Sequence, residues 1–421
     1  MLTVAVQRLR ERWPQARIGV LTERPALLRT RVPGAEPLAP EGSWPPLPDY
    51  GRVRRTAEAL RDRVWAALLV AELPREVLRV ARAALRRGPF GVAAEPKAVA
   101  ADITADTGSN DAEAKDRSEY RPPAALAEAA LVVAVGGGFL CDADAPQAHR
   151  ALNLLEAAVA QGIPAAMVGQ GIGPLTDRGL RRRAAEVLPL VDYIGLREGR
   201  SGRGLLTDLG VAPGRILVTG DDAVEFAYRH APARLGSGLG LCLRIASYSA
   251  IEQDQQDRIA ATVRAFAQRA GAHLVPLIVS EHGGEDRRST LPVLEGFPRR
   301  RRPVPRSGSP VRLARQVAEC RLLVTSTYHV AVFALSQGIP VVALATSAYY
   351  EDKFYGLAEM FGTGVTVVPI GATEELAEAA EALWQRAPLL RNPLRQRAAE
   401  QIATGREGFE RVFGLIEDVS W

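Results

Sequence analysis

The sequence predicts an α/β protein made of two Rossmann-like domains that face a cleft. Short, fully apolar segments alternate with segments of helical periodicity along most of the chain, which is typical of parallel βαβ units. This alternation stops at residues 230–238 and then starts again. At 421 residues the chain is also longer than the roughly 250–300 residues that one hydrophobic core serves. We therefore expect one domain over residues 1–229 and a second over residues 239–421.

The first domain is predicted to open with a helix and to carry a long insertion. Residues 1–15 have the apolar spacing of an amphipathic helix, and residues 16–22 form a short strand. Residues 55–87 are rich in arginine and helical in pattern. Residues 93–123 are polar, acidic and rich in turn-forming residues, so they hold little apolar surface to bury. We expect this last segment to be a disordered surface insertion.

Four buried strands follow in the first domain, each ending in glycines or charged residues. In the sequence they read ALVVAVGGG, IPAAMVGQGIGP, VDYIGLRE and GRILVTGDD. Helical segments separate them, and the one over residues 177–189 is strongly basic. Ligands of parallel sheets bind outside the carboxyl ends of the strands. We therefore expect functional residues at these strand ends.

The second domain repeats the alternation and ends in helices. Residues 282–310 are expected to be a loop-rich stretch. The predicted strands cover residues 239–245, 273–279, 320–326, 339–345 and 364–370. The predicted helices cover residues 250–270, 310–319, 329–337, a segment from about 351, and 372–420.

Charge and composition indicate which classes of partner the chain binds. The formal net charge is +5, and arginine supplies nearly all of the positive charge because Lys97, Lys115 and Lys353 are the three lysines. Arginine binds phosphate and carboxylate in bidentate fashion, so small anionic substrates fit this balance. Aromatic residues do not alternate with a basic stripe, so we expect no specific nucleic-acid partner.

Cysteine usage and hydropathy point to the cytoplasm. Cys141, Cys242 and Cys320 lie far apart and form no metal-ligand pair, which favours a reducing compartment and predicts no metal site. No apolar run approaches the roughly 18 residues of a membrane span, so we expect none. A homo-oligomer is left open by the sequence.

Two glycine-rich turns follow buried strands in the first domain. Glycine lets backbone N–H groups approach a ligand closely, and the N-terminus of a following helix favours an anion. The alternative is that these glycines serve only tight strand–helix packing. Since both turns fall in one domain, we favour a ligand-facing surface that includes Gly137, Gly138, Gln170 and Gly171.

A histidine stands at a strand-to-helix turn of the second domain. The run LLVTSTYHVAVFALSQGIP places His329 directly after an apolar strand and at the start of an apolar helix. It is either a helix-start residue without chemistry or the acid/base of an active site, because histidine titrates in the range that proton transfer needs. The helix dipole at this position favours its neutral form.

Several motifs, in this order and spacing, resemble the polysaccharide pyruvyl transferase family. They are VAVGGGFLCD, AAMVGQGIGPL, VDYIGLREGRS, VTGDDAV, STYHVAVFALSQGIPVVAL and YYEDKF, and only residues 93–123 and much of 283–310 fall outside the resemblance. The resemblance implies two Rossmann-like domains arranged as in B-type glycosyltransferases. It also implies transfer of a pyruvyl group from phosphoenolpyruvate, as a cyclic ketal, to a sugar or glycoconjugate in cell-surface polysaccharide or related biosynthesis. Phosphoenolpyruvate is then a co-substrate, and no other cofactor is expected.

The resemblance also assigns roles to individual residues. It implies that Arg197 binds the donor, that His329 is the general acid, and that Lys353 is the basic residue after the next strand. The chain departs from the family at Thr327, where relatives carry an arginine. Relatives also usually open with a strand and a glycine-acidic turn, whereas Met1 stands in the helix that follows.

The chemistry of ketal formation extends this set. It needs a proton at the donor's methylene carbon, cations around its carboxylate and phosphate, and a base for the incoming hydroxyl. We assign the first role to His329 and the anion clamp to Arg197 and Lys353. A further cation is predicted at Arg244, at the end of the strand over residues 239–245.

Carboxylates and hydroxyls complete the predicted site. Asp221 or Asp222 is expected to orient the acceptor hydroxyl, with Asp222 assigned the catalytic role, although a helix-capping pair is the alternative. Ser326 and Thr327 join the predicted substrate-binding residues. Two other functions remain open: a glycosyltransferase-like enzyme with a nucleotide-sugar donor, and a catalytically inactive binding homologue.

Overall fold

The structure, a computed structural model, describes residues 1–39, 120–244, 253–280, 285–306 and 308–417. All of these residues belong to one compact unit. The predicted helix over 55–87 lies outside the described residues, as does the predicted insertion over 93–123 apart from its last four residues.

The chain opens with an amphipathic helix, α1 (Leu2–Arg12), as predicted. A small parallel sheet of two strands follows, in which β1 (Gly19–Leu21) pairs with β2 (Glu36–Leu38). Helix α2 (Pro25–Arg31) joins the two strands, and its proline stands at the first helical position, where the fixed φ angle suits the helix. The sequence pattern predicts β1 but neither α2 nor β2.

Four parallel strands form the first large sheet, in the order β3-β4-β5-β6. They are β3 (Val132–Leu140), β4 (Ala165–Ile172), β5 (Tyr193–Leu196) and β6 (Ile216–Val218). The helices after them are α3 (Ala145–Ala160), α4 (Arg178–Val187), α5 (Gly202–Asp208) and α6 (Ala223–Tyr228). The predicted βαβ pattern is therefore confirmed, and the carboxyl ends of the strands share one edge.

Five parallel strands form the second large sheet, in the order β11-β10-β9-β7-β8. They are β7 (Gly238–Cys242), β8 (Leu274–Pro276), β9 (Cys320–Thr325), β10 (Val341–Ala345) and β11 (Val365–Pro369). The helices are α7 (Gln253–Arg269), α8 (Glu285–Leu294), α9 (Pro310–Val317), α10 (Tyr328–Ser336) and α11 (Ala348–Phe361). This is the 2-1-3-4-5 order of doubly wound sheets, whose ligands bind where the order reverses, here between β7 and β9. The predicted fold class, α/β with two Rossmann-like domains, is confirmed.

A long C-terminal helix, α12 (Thr373–Glu417), packs against both sheets. Near its start Leu376 and Leu383 join the core of the second sheet. Near its end Phe409 and Phe413 pack with Tyr193 of the first sheet. Burying one such side chain stabilises a fold by about 1.5–3 kcal/mol. The two halves are thus held together by one continuous helix.

Helix α6 also belongs to both halves. It follows the first sheet in the chain, but Ala223, Val224 and Ala227 lie in the core cluster of the second sheet. The predicted division at residues 230–238 is a boundary in chain order, and it stays a prediction. The loop-rich reading of residues 282–310 is wrong for α8, whose buried Asp286, Ser289 and Thr290 hold it in place despite Pro292 inside the helix.

Candidate functional site

The candidate site lies where the strand ends of the first sheet meet α11 of the second half. A Cβ atom placed on Gly138, in β3, would lie 3.1 Å from Lys353 Nζ and 3.3 Å from Arg197 Nη2. These three residues come from strand β3, the end of β5, and helix α11. The sequence therefore brings two of its predicted cations to one point from separate halves of the chain.

Arg197 is buried without a carboxylate partner. Its backbone N–H donates to the Gln170 carbonyl at 2.9 Å, so β4 fixes where the side chain starts. The residue is 3% exposed, and its guanidinium carbon lies 4.2 Å from the centre of the Tyr328 ring. Its buried Nε has no hydrogen-bond partner, and no carboxylate of the described residues forms an ion pair with it. Asp221 and Glu198 act on it only at longer range.

Glycines make the space that this guanidinium occupies. A Cβ atom on Gly171 would lie 2.5 Å from both Nε and Nη2 of Arg197. On Gly136 the corresponding atom would lie 2.3 Å from the Gly169 carbonyl oxygen, so that glycine serves strand packing. The interpretation as a ligand-facing surface is therefore supported for Gly138 and Gly171, whereas Gly136 serves strand packing. Gly137 pairs with Gln170 in the sheet register and contacts neither cation.

Lys353 is the second cation of the cluster. Burial, with the positive charge of Arg197 adding to it, lowers the pKa of Lys353 to about 7. Its Nζ donates a hydrogen bond to Tyr349 Oη and lies 3.7 Å from the centre of the Tyr349 ring. Tyr349 Oη in turn donates to Cys141 Sγ at 3.6 Å, and that thiol donates to the Gly138 carbonyl at 3.0 Å. A chain of hydrogen bonds thus leads from the lysine back to the glycine strand.

Tyr349 and Tyr328 belong to the site but were missed by the sequence reasoning. Tyr349 and Lys353 are spaced i, i+4 on one helix, which puts them on the same face, so the spacing was the available signal. Tyr328 lies next to His329, is 5% exposed and covers the Arg197 guanidinium. A cation over an aromatic face contributes about 2 kcal/mol when desolvated.

His329 is the second residue of α10 and faces a carboxylate. Its side chain is 34% exposed, but its Nε2 is buried and has no hydrogen-bond partner among the described residues. Asp221 Oδ2, equally unpartnered, lies 3.8 Å from that nitrogen. Burial lowers the pKa of His329 to about 4, against the opposing attraction of Asp221. The imidazole is therefore neutral in this state, with a carboxylate placed to stabilise a proton on it.

Asp222, the predicted catalytic carboxylate, points elsewhere. Its Oδ1 accepts from Arg8 of α1 at 3.3 Å, and its Oδ2 lies 2.8 Å from where Gly169 would carry a Cβ atom. Burial raises the pKa of Asp222 to about 6, although Arg8 acts against this. Asp221 instead uses Oδ1 to accept from the Ala223 N–H at 2.8 Å and leaves Oδ2 toward the histidine. Of the two aspartates considered, the geometry favours Asp221.

The remaining predicted residues are held inside the fold. Arg244 donates to Asp286 at 2.9 Å, so its charge is compensated. Ser326 is fully buried and accepts from the Arg244 N–H at 2.9 Å. Thr327 is 1% exposed and accepts from the Cys242 thiol at 3.4 Å, which places it in the core rather than on a ligand surface.

Gln170 supports the first sheet from inside. Its amide nitrogen donates to the carbonyls of Ala134 at 2.9 Å and Val168 at 3.2 Å. The residue is fully buried, and its Oε1 has no hydrogen-bond partner among the described residues. It therefore fixes strands β3 and β4 beneath the site.

In the described part of the chain, neither a membrane-spanning helix nor a metal-ligand cluster is present. No helix in it is both long enough and apolar enough to cross a membrane. No group of three or more histidine, cysteine or acidic side chains in the same residues is arranged to hold a metal ion.

Comparison with known proteins adds a family match. A model of the polysaccharide pyruvyl transferase family matches residues 1–348. Among curated proteins, none matches the sequence.

Solved structures give weaker likenesses. A protein described as a UDP-N-acetylglucosamine 2-epimerase from Listeria monocytogenes is 15% identical, over 74% of this chain and 82% of its own, with a TM-score of 0.48. The glycotransferase of kitacinnamycin is 14% identical, over 98% of this chain and 94% of its own, with a TM-score of 0.46. A UDP-GlcNAc 2-epimerase of Methanocaldococcus jannaschii, in complex with UDP-GlcNAc and UDP, is 13% identical over 66% and 75%, with a TM-score of 0.46. Each score lies below 0.5, and none of these likenesses bears on the substrate of this chain.

Proposed function

The chain belongs to the polysaccharide pyruvyl transferase family and is therefore a transferase, and we propose that it moves a pyruvyl group from phosphoenolpyruvate to a sugar or glycoconjugate. The single observation that carries the choice of donor is the buried, unpaired Arg197 beside Lys353. Phosphoenolpyruvate brings a carboxylate and a phosphate, and two cations without carboxylate partners suit that charge.

Donor binding rests on the cation cluster. The planar guanidinium of Arg197 engages the carboxylate or phosphate in bidentate fashion, with Tyr328 holding its plane. Lys353 adds a point charge from the other half of the chain. Where relatives carry an arginine this chain carries Thr327, which is buried, so Arg197 carries more of the donor's charge here.

Proton transfer rests on His329 and Asp221. Ketal formation begins when a proton joins the methylene carbon of the donor and an acceptor oxygen bonds to its central carbon. An anionic donor bound nearby lowers the cost of an imidazolium and so raises the pKa of His329 from about 4. The protonated ring then donates to the methylene carbon, with Asp221 stabilising the charge, and recovers a proton from the acceptor hydroxyl.

The function is tested by phosphate release. Wild-type protein is incubated with phosphoenolpyruvate and a panel of sugars that carry neighbouring hydroxyls, and the pyruvylated product is identified by mass spectrometry. We expect phosphate and ketal in equal amounts. The variant His329→Ala is expected to lose about 10²–10⁴-fold in rate.

A matched histidine controls for folding. His273 precedes β8 at the amino end of the strand, away from the site, so His273→Ala should keep the wild-type rate. Absence of phosphate release with every acceptor would contradict the proposed donor. Release of nucleotide from a nucleotide sugar would instead support the glycosyltransferase alternative.

A further inference from the structure

The proposed reaction moves two protons, and the site described so far handles one. A cyclic ketal uses two acceptor hydroxyls, and each gives up its proton. One proton ends on the methylene carbon of the donor, which becomes a methyl group. The other must leave with the phosphate, whose bond to the central carbon breaks. The pair of His329 and Asp221 accounts for the first proton only.

The second proton needs a carrier close to the phosphate. Of the two cations in the cluster, Arg197 cannot give up a proton in a protein, because its guanidinium stays charged. Lys353 can, since an ammonium group loses and regains a proton more readily when buried. Its Nζ stands 3.1 Å from the Cβ position of Gly138, beside the guanidinium, so it shares whatever anion Arg197 binds.

The surroundings of Lys353 fix the nitrogen in place without neutralising it by an ion pair. From its own helix Tyr349 accepts the hydrogen bond, and the Tyr350 ring centre lies 5.6 Å away. The groups that act on it from the other elements are Arg197, Cys141, Glu198 and Arg244. Among these, Glu198 accepts the Arg200 N–H at 2.8 Å, and Arg244 is held by Asp286.

We propose that Lys353 is a second catalytic residue, which gives its proton to the departing phosphate and recovers one from the second acceptor hydroxyl, and that Tyr349 is the positioning residue that holds its nitrogen. This inference rests on the proposed function. It explains why a lysine and a tyrosine are paired at a site where a second arginine would bind the anion more firmly.

The step balances in atoms and electrons. The bond between the central carbon and the phosphate oxygen breaks, and its electron pair stays on that oxygen, which takes the proton from Nζ. The oxygen of the second hydroxyl then bonds to the central carbon, its O–H bond breaks, and the proton passes to the neutral amine. The lysine ends as it began, and no oxidant, reductant or further reactant is needed.

The test compares Lys353→Arg with the wild type, using phosphoenolpyruvate and an acceptor that the wild type turns over. The arginine keeps the charge but transfers no proton, so we expect kcat to fall by about 10²-fold or more while KM for phosphoenolpyruvate stays within about threefold. In the pH profile of kcat/KM, the wild type should lose activity as the pH rises above about 7, where Lys353 deprotonates. This limb should be absent from the variant.

The possible outcomes distinguish a failure of this inference from a failure of the proposed function. A wild type that releases no phosphate contradicts the proposed function. A wild type that turns over, with Lys353→Arg at an unchanged kcat, overturns the role of Lys353 alone, as does a loss that appears only in KM. If the arginine variant does not fold, Lys353→Ala takes its place: recovery of kcat by added methylamine supports the inference, and no recovery overturns it.

Tyr349→Phe tests the positioning role. It keeps the ring and removes the hydroxyl that accepts from Nζ, so we expect a fall in kcat of about tenfold and a displaced basic limb. Tyr355→Phe is the matched control, because Tyr355 lies on the same helix and its ring faces Arg200 at 5.4 Å. An unchanged pH profile in Tyr349→Phe would contradict the role.

Discussion

Two buried arginines, Arg8 and Arg197, show opposite ways of holding a charge inside the same unit. Arg8 is 7% exposed and donates to Asp222 at 3.3 Å and to Glu225 at 2.6 Å. Arg197 is 3% exposed and has no carboxylate partner among the described residues. Burial of a charge is costly unless it is paired, so the charge of Arg8 is compensated within the fold, whereas under the proposed function the charge of Arg197 is compensated by the bound donor.

Whether a buried charge has an ion-pair partner distinguishes a structural from a functional role better than its degree of burial does. The Arg8 cluster ties α1 to α6, and Gly405 of α12 accepts from it as well, at 3.1 Å. The Arg197 cluster adds a lysine to an arginine, and no carboxylate of the described residues forms an ion pair with either, although Asp221 and Glu198 act on Arg197 at longer range. Substitutions at the two clusters should therefore damage different properties, and four predictions sharpen or break that contrast.

The largest effect is expected on catalysis, from Arg197→Met. Removing the bidentate donor of the cluster should lower kcat/KM for phosphoenolpyruvate by about 10³-fold or more, since remaining contacts cannot replace a desolvated cation. The free energy of unfolding should not decrease, because an unpaired buried charge is lost. Steady-state kinetics and urea unfolding measure both. A variant that unfolds more easily yet keeps its activity would break the contrast.

The next effect is expected on stability, from Arg8→Met. It leaves Asp222 buried without a cation, whereas Glu225 keeps Arg229 and Arg406, so the free energy of unfolding should fall by about 3 kcal/mol. Arg12→Met, at an exposed position of the same helix where the guanidinium lies 6.0 Å from the centre of the Phe413 ring, should lose no more than about 1 kcal/mol. Urea unfolding at neutral pH measures the difference. Equal free energies of unfolding for the two variants would show that the Arg8 cluster does not stabilise the fold.

A third effect depends on pH, through Lys353. Burial lowers its pKa from 10.5 to about 7, so the folded state gains the full stability of this group above about pH 10.5 and loses it as the pH falls through 7. Lys353→Met should therefore stabilise the protein at about pH 6, on the order of 2–4 kcal/mol, and have little effect at about pH 11. Thermal unfolding at both pH values tests this. A gain that is the same at both would contradict the depressed pKa.

The smallest effect is expected from Arg200→Ala. Arg200 lies in the loop after β5 and donates to Asp352 at 2.7 Å and Glu359 at 2.6 Å on α11. All three side chains are at least 40% exposed, so the pairs should contribute little to stability, and that contribution should weaken with salt. Urea unfolding at low and high salt checks this. A loss of stability as large as that of Arg8→Met would mean that surface pairs hold α11 in place.

Much of the fold and part of the candidate site can be predicted from the sequence. Apolar periodicity predicts both sheets. It does not predict α8, because this helix contains Pro292 and charged residues and buries polar side chains instead of an apolar face. Arg197, His329 and Lys353 follow from the family resemblance. The structure brings Arg197 and Lys353 together, and it sets His329 against Asp221.

What the sequence could not supply are contacts between distant segments. Nothing local tells Gly136, which packs on Gly169, from Gly138, which faces two cations. Nothing local tells Asp221 from Asp222 either, because Arg8 reaches the second from 214 residues away. Tertiary packing alone decides which residue of each pair faces the candidate site.

The central claim is that the unpaired Arg197 cluster is the site of an anionic donor, and direct binding tests it. Isothermal titration of phosphoenolpyruvate into wild type, Arg197→Met and Arg8→Met at one salt concentration makes the measurement. We predict binding to the wild type, a Kd at least about 100-fold weaker for Arg197→Met, and a Kd within about threefold of the wild type for Arg8→Met. Equal binding by wild type and Arg197→Met, or no binding by the wild type, would contradict the account.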